Sequence, residues 1–147
     1  MSKTYVPASL RRLVFDRAQG ACEYCLLPEM LTVSSHQVDH VIAEKHDGAT
    51  DEDNLALSCS TCNYAKGSDI ASVDSETGEI VRLYNPRQDF WGDHFQVEPD
   101  SGMIQPLTAI AQATVRLLRL NGVGRVAERI LWIRAGVVFA PARKDVE

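Results

Sequence analysis

VDHVIAEKHDGATDEDNLALSCSTCNYAKG, residues 38–67, follows CEYC at residues 22–25, and these two stretches hold all four cysteines of the chain. Each Cys-x-x-Cys pair, Cys22/Cys25 and Cys59/Cys62, forms a tight loop that can aim two thiolates at one tetrahedral ion. Two such loops complete a four-cysteine shell with no position left for water, so the expected ion is a structural Zn2+ that does no chemistry. The 33 residues between Cys25 and Cys59 exceed the roughly 15–20 of an ordinary zinc ribbon, so something is inserted between the knuckles. Two disulfides are the alternative. The opening MSKTYVPASLRRL lacks the apolar core of a signal peptide, which points to a reducing, cytoplasmic location, where paired cysteines more often bind metal.

The insert is polar and carries the candidate chemistry. Gln37 to Ile42 contains Val38, Val41 and Ile42, a β-branched run suited to a strand. Glu44 to Asp53 is acidic, contains Gly48 and reads as a loop. Leu55-Ala56-Leu57 forms a second short apolar run leading into Cys59. Ser60 and Thr61 are expected N-cap residues for a helix running from Cys62 through Lys66 to Ala71, across Gly67. The order is strand, loop, strand, helix, with the second knuckle at the helix start.

These residues resemble the HNH endonuclease family. Its ββα-metal (His-Me finger) motif places an Asp-His pair on the first strand, an Asn in the loop and a His or Asn on the helix. The matching positions are Asp39-His40, Asn54 and Asn63, with 13 residues between His40 and Asn54 and 8 between Asn54 and Asn63. The third letter is Asn instead of His, an HNN variant. The resemblance covers Cys22 to Ile70, about a third of the chain.

Hydrolysis of a phosphodiester needs a deprotonated water in line with the scissile bond and a cation beside the developing negative charge. His40, of a residue type that titrates near neutrality, is the expected general base. Asp39 and Asn63 offer hard oxygen donors suited to Mg2+ or Mn2+, and the resemblance implies the same roles. It also implies that Asn54 hydrogen-bonds loop backbone without touching metal. Asp39 and His40 are neighbours, so a regular strand points them to opposite faces; they converge only if the strand twists or ends there. Asn63 and Lys66, three apart, share a helix face, making Lys66 a candidate phosphate contact. His46 is a candidate contact to metal or phosphate, or a solvated loop residue. His36 is a weaker candidate for the site rim, and His94 reads as a hydrogen-bonded structural histidine.

The 147 residues and 45% hydrophobic content support one domain with a real core. Its expected parts are an N-terminal helix (1–21), the motif with its zinc (22–71), a hairpin extension (72–105) and a helical extension (106–147). The fold class is therefore α+β: a ββα-metal core with zinc knuckles, flanking hairpins and a C-terminal helical hairpin. No apolar run approaches the ~18 residues of a membrane span.

In detail, Pro7 to Gly20 has helical spacing. Residues 74–84 read as a hairpin turning at Thr77-Gly78, and Phe95–Val97 pairs with Met103-Ile104. Trp91, Phe90 and Phe95 read as core. Thr108–Leu120 and Val123–Val138 read as two antiparallel helices, the second exposing Arg125, Arg129 and Arg134. The phrase LYNPRQDFWGDHF resembles the C-terminal extension of one bacterial branch of HNH proteins.

A net charge of −5 has the wrong sign for a generic phosphate binder. Residues 39–100 hold 14 acidic and 4 basic side chains, whereas residues 106–147 hold 7 basic and 3 acidic, and Arg11, Arg12 and Arg17 form a second basic group. Such asymmetry lets one face meet a polyanion. DNA is the expected partner, with RNA, a homodimer and a partner protein left open. Set against a nuclease is a non-catalytic, zinc-stabilised nucleic-acid-binding or regulatory module.

Overall fold

The structure, a computed structural model, describes residues 4–142. Helix α1 (Ala8–Arg17) follows Pro7 at its N-cap, where the fixed φ of proline suits a helix start. It stops before Gly20, whose φ of +71° favours a residue without Cβ.

Strands β1 (Gln37–His40) and β2 (Leu55–Ser58) form an antiparallel ribbon with Val38 opposite Leu57, Asp39 opposite Ala56 and His40 opposite Leu55. The register puts Val38, His40, Leu55 and Leu57 on one face, and Gln37, Asp39, Ala56 and Ser58 on the other. Val38, Leu55 and Leu57 pack with Val6, Leu10, Val14 and Ala18, so α1 covers the first face. Helix α2 (Ser60–Lys66) packs across β1.

The expected helix over Cys62–Ala71 is corrected at both ends. Cys59 is the N-cap, its Sγ accepting from the Cys62 amide, in place of Ser60 or Thr61. Gly67, at φ +54°, ends the helix, and Ala71–Val73 becomes strand β3. β1 also stops at His40, two residues short of Ile42, because the Asn54 side chain takes the Ile42 amide.

β3 pairs with β4 (Ile80–Arg82) and β5 (Phe95–Val97) with β6 (Ile104–Pro106). Gly78 and Gly102 take positive φ in the two turns. A short helix α3 (Trp91–His94) leads into β5, and α4 (Ala109–Leu117) and α5 (Val123–Arg134) follow β6. Thr108 caps α4, its hydroxyl accepting from the Ala111 amide at 3.1 Å.

The larger core cluster joins both knuckles to this extension: the four cysteines, Tyr24 and Val41 pack with Leu83, Tyr84, Trp91, Phe95, Ile104, Leu118 and Leu120. Trp91 and Phe95 are buried. Each such large apolar side chain stabilises the fold by about 1.5–3 kcal/mol, and Trp91 also donates its Nε1–H to the Tyr24 carbonyl at 2.9 Å. Among the described residues, no helix is long and apolar enough to cross a membrane.

Candidate active site and metal centre

Cys22, Cys25, Cys59 and Cys62 are buried, with their Sγ atoms all within 4.8 Å of one another. Four ligands about 2.3 Å from a tetrahedral ion stand about 3.8 Å apart, and Cys25 and Cys59 Sγ are 3.6 Å apart. That separation excludes a disulfide, whose sulfurs lie about 2.05 Å apart, and all four cysteines are free. Amides of the knuckles point at the sulfurs: Tyr24 and Cys25 donate to Cys22 Sγ, and Cys62 to Cys59 Sγ, each at 3.4 Å. The cluster fits structural zinc in donor type, number and closure.

Beside it, β1 presents Asp39 toward α2. Its Oδ2 accepts from the Tyr24 hydroxyl at 2.9 Å and lies 3.2 Å from Lys66 Nζ. Lys66 Nζ also donates to the His40 carbonyl oxygen at 3.2 Å. Lys66 is 2% exposed, so its expected contact with phosphate gives way to a buried pair with Asp39. The shared face of Asn63 and Lys66 is the face that α2 lays on β1. Burial pushes the Asp39 carboxyl up, and Lys66 and the Tyr24 hydrogen bond oppose that shift.

Breaking one side of a buried ion pair costs about 3–5 kcal/mol, because the other charge stays buried alone. Lys66→Met is therefore expected to lower stability by that amount, read as a reduced denaturant midpoint at an unchanged slope.

By register, His40 lies on the opposite face of the ribbon from Asp39. The strand ends at His40, one of the two conditions under which neighbouring side chains can converge. Its Nε2 is 2.8 Å from Thr50 Oγ1, while its Nδ1 is buried with no hydrogen-bond partner.

Asn54 ties the intervening loop to the strand end. Its Oδ1 accepts from the Ile42 amide at 2.9 Å, and its Nδ2 donates to the carbonyls of Ile42 at 2.9 Å and Ala49 at 2.8 Å. Gly48 lies so close that an added Cβ would fall 1.6 Å from the Ile42 carbonyl oxygen and 2.9 Å from Asn54 Nδ2. Gly48→Ala is expected to destabilise by at least ~3 kcal/mol, the upper end of overpacking costs, and to depress any activity that depends on loop geometry. Thermal melting beside an activity assay checks both.

Asn63 donates its Nδ2–H to Gln37 Oε1, two residues before Asp39 on the same face of β1. That leaves the Asn63 amide oxygen as the atom it can offer a cation. Asp39 Oδ1 accepts a long contact from Lys66 Nζ at 3.5 Å. Asp39 and Asn63 thus both lie on the side of β1 that α2 covers, where Lys66 is the positive charge paired with Asp39.

The remaining histidines divide differently. His46 is exposed in the 3-10 turn Glu44–His46. His36 is buried, its Nε2 2.7 Å from the Leu27 carbonyl. His94 Nδ1 is 2.7 Å from Thr108 Oγ1. A cleft of about 720 Å³ behind the first knuckle is lined by Arg17, Glu23, Tyr84, Arg87, Asp89 and His94 among others, and by none of Asp39, His40, Asn54 or Asn63.

Two of the α5 arginines expected to be exposed turn inward. Arg129 is 5% exposed and donates to the carbonyls of Gly102 at 2.7 Å and Leu120 at 2.8 Å. Arg125 Nη2 lies 3.1 Å from Cys62 Sγ and 3.9 Å from Cys59 Sγ. Tyr24, Thr50 and Arg125 are the polar neighbours that sequence reasoning missed. Only Tyr24 carried a signal, its position inside the first knuckle.

The family model described as HNH endonuclease matches residues 22–69. No curated protein and no solved structure matches the chain.

Proposed function

We propose, from the match of residues 22–69 to the HNH endonuclease family model, that this protein is a divalent-metal-dependent endonuclease that hydrolyses phosphodiester bonds in DNA. The observation that carries the proposal is the His40 ring. In the tautomer that donates Nε2–H to Thr50 Oγ1, Nδ1 keeps an unshared pair, and that atom is buried and unpartnered. A ring oriented at one nitrogen and unengaged at the other suits a general base, and Nδ1, buried as it stands, must be opened to water for that role.

His40 Nδ1 takes the proton of the attacking water as its oxygen bonds to phosphorus, and the bond from phosphorus to the leaving oxygen breaks. Thr50 holds the ring. Asp39 and Asn63 would hold Mg2+ or Mn2+, which when bound supplies Lewis-acid stabilisation of the charge that develops on phosphate and leaving oxygen. Asp39 must be ionised for that role, and Lys66 and Tyr24 favour its carboxylate. Asn54 keeps the loop folded so that Thr50 reaches His40. Zinc, in its closed shell, serves structure alone.

The site reads no base edge and no 2'-hydroxyl, so double-stranded DNA rests on the family, and the cytoplasm is the compartment the free cysteines suit. One observation favours a second reading: the Asp39 carboxylate already has a cation, Lys66. On that basis the domain would bind nucleic acid without cutting it.

The deciding experiment is supercoiled-plasmid cleavage with Mg2+, Mn2+ or chelator, with zinc content followed in parallel and an RNA substrate beside the DNA. Divalent-dependent nicking with zinc retained supports the enzyme. Zinc-loaded, folded protein that cuts neither substrate with either ion overturns it and leaves the binding module.

A further inference from the structure

Four thiolates around one divalent zinc carry two surplus negative charges, and here that group is buried. Buried charge is costly unless it is paired and hydrogen-bonded. The knuckle amides answer Cys22 and Cys59. Cys62 Sγ is answered from outside the matched segment: its 3.1 Å donor is Arg125 of α5, 63 residues along the chain.

The same guanidinium is anchored at its other end. Arg125 Nη1 donates to the carbonyls of Leu118 at 2.9 Å and Arg119 at 3.2 Å, at the C-terminal end of α4, where the helix dipole favours positive charge. One turn further along α5, Arg129 fastens the helix to Gly102 and Leu120. Between the cluster and α5 lies a void of only about 20 Å³, lined by Cys25, Leu27, Arg125, Glu128, Arg129 and Phe139, room for about one water.

We propose that Arg125 is an outer-sphere ligand of the four-cysteine metal site, whose charge docks the C-terminal helical hairpin and whose N–H···S bond retains the metal. The coupling is reciprocal by linkage. Metal in the shell favours the docked α5, and the docked α5 slows metal loss and shields the thiolates from reagents. The inference rests on the zinc reading of the cluster and is independent of whether the protein cuts DNA.

The test uses the full chain with Arg125→Ala and Arg125→Lys. Three quantities are measured: the rate of zinc transfer to a chromophoric chelator, the thiolate-to-metal charge-transfer band of the cobalt-substituted protein, and the hydrogen-exchange protection of α5 amides. Because a charge-assisted hydrogen bond to a buried thiolate is lost, Arg125→Ala is expected to release zinc at least about tenfold faster. Its cobalt band moves to lower energy and α5 protection falls. Arg125→Lys, which keeps the charge and loses the fork, lies between, and it decides the matter should the alanine variant fail to fold.

Unchanged release and an unchanged band in a folded variant overturn the role of Arg125, because a side chain that only fills space would not tune the sulfur electronics. Wild-type protein that takes up neither zinc nor cobalt overturns the metal reading itself, and this inference with it.

Discussion

Cys59→Ser is expected to unfold the domain, with loss of bound zinc and of the cooperative thermal transition. The substitution is a sharp probe because Cys59 has two roles of very different size. It is the N-cap of α2, and serine is among the preferred N-cap residues, where capping is worth about 1 kcal/mol. Serine keeps or improves that contribution. The other role is metal ligation, and structural zinc contributes about 10–16 kcal/mol in zinc-finger peptides, as much as the whole stability of a typical domain, about 5–15 kcal/mol. The net effect follows the metal. Zinc content and far-ultraviolet circular dichroism check it, and a folded Cys59→Ser protein with full activity would show that the cluster does not hold the fold together.

His40→Ala is expected to lower cleavage by about 10²–10⁴-fold, the usual contribution of general-base catalysis, while zinc content stays at the wild-type level. The ring lies on the ribbon face away from Asp39, and no cysteine is among its hydrogen-bond partners. Its removal leaves the knuckles, the Asn54 bonds and the Lys66–Asp39 pair in place. Some stability is lost with a buried ring, so melting is measured beside single-turnover cleavage. Wild-type cleavage by the variant would sink His40 as the base; loss of zinc in the variant would show that the two sites are not separate.

The parts legible in the sequence were those set by local spacing. The Cys-x-x-Cys pairs gave the metal shell, the β-branched run gave β1, and the three-residue offset correctly put Asn63 and Lys66 on one face of α2. Which way that face points is a tertiary matter. It lies on Gln37 and Asp39, so a lysine that spacing alone would send to phosphate is buried against a carboxylate. The inward turn of Arg125 and Arg129 was hidden for a related reason. Arginine between apolar helical positions normally marks a solvated face, and only the thiolates and carbonyls brought in by distant segments make burial affordable. The helix starts one residue earlier than Ser60 or Thr61 would suggest, because the Cys59 thiol takes the cap that hydroxyl residues usually fill. The helix ends short of Ala71 because Gly67, with φ +54°, stops it, a signal that lies in the sequence.

Tyr24 has a consequence for how the chain can be divided. Its hydroxyl holds Asp39, its carbonyl is held by Trp91, and its ring sits in the core cluster that continues through Phe95, Ile104 and Leu120. A minimal fragment cut at the borders of residues 22–69 would strip one wall from that cluster and leave the knuckle's apolar side in water. The natural unit for expression and for transplantation into another protein is therefore set by the buried cluster that runs on to Phe139, well beyond the motif that carries the chemistry.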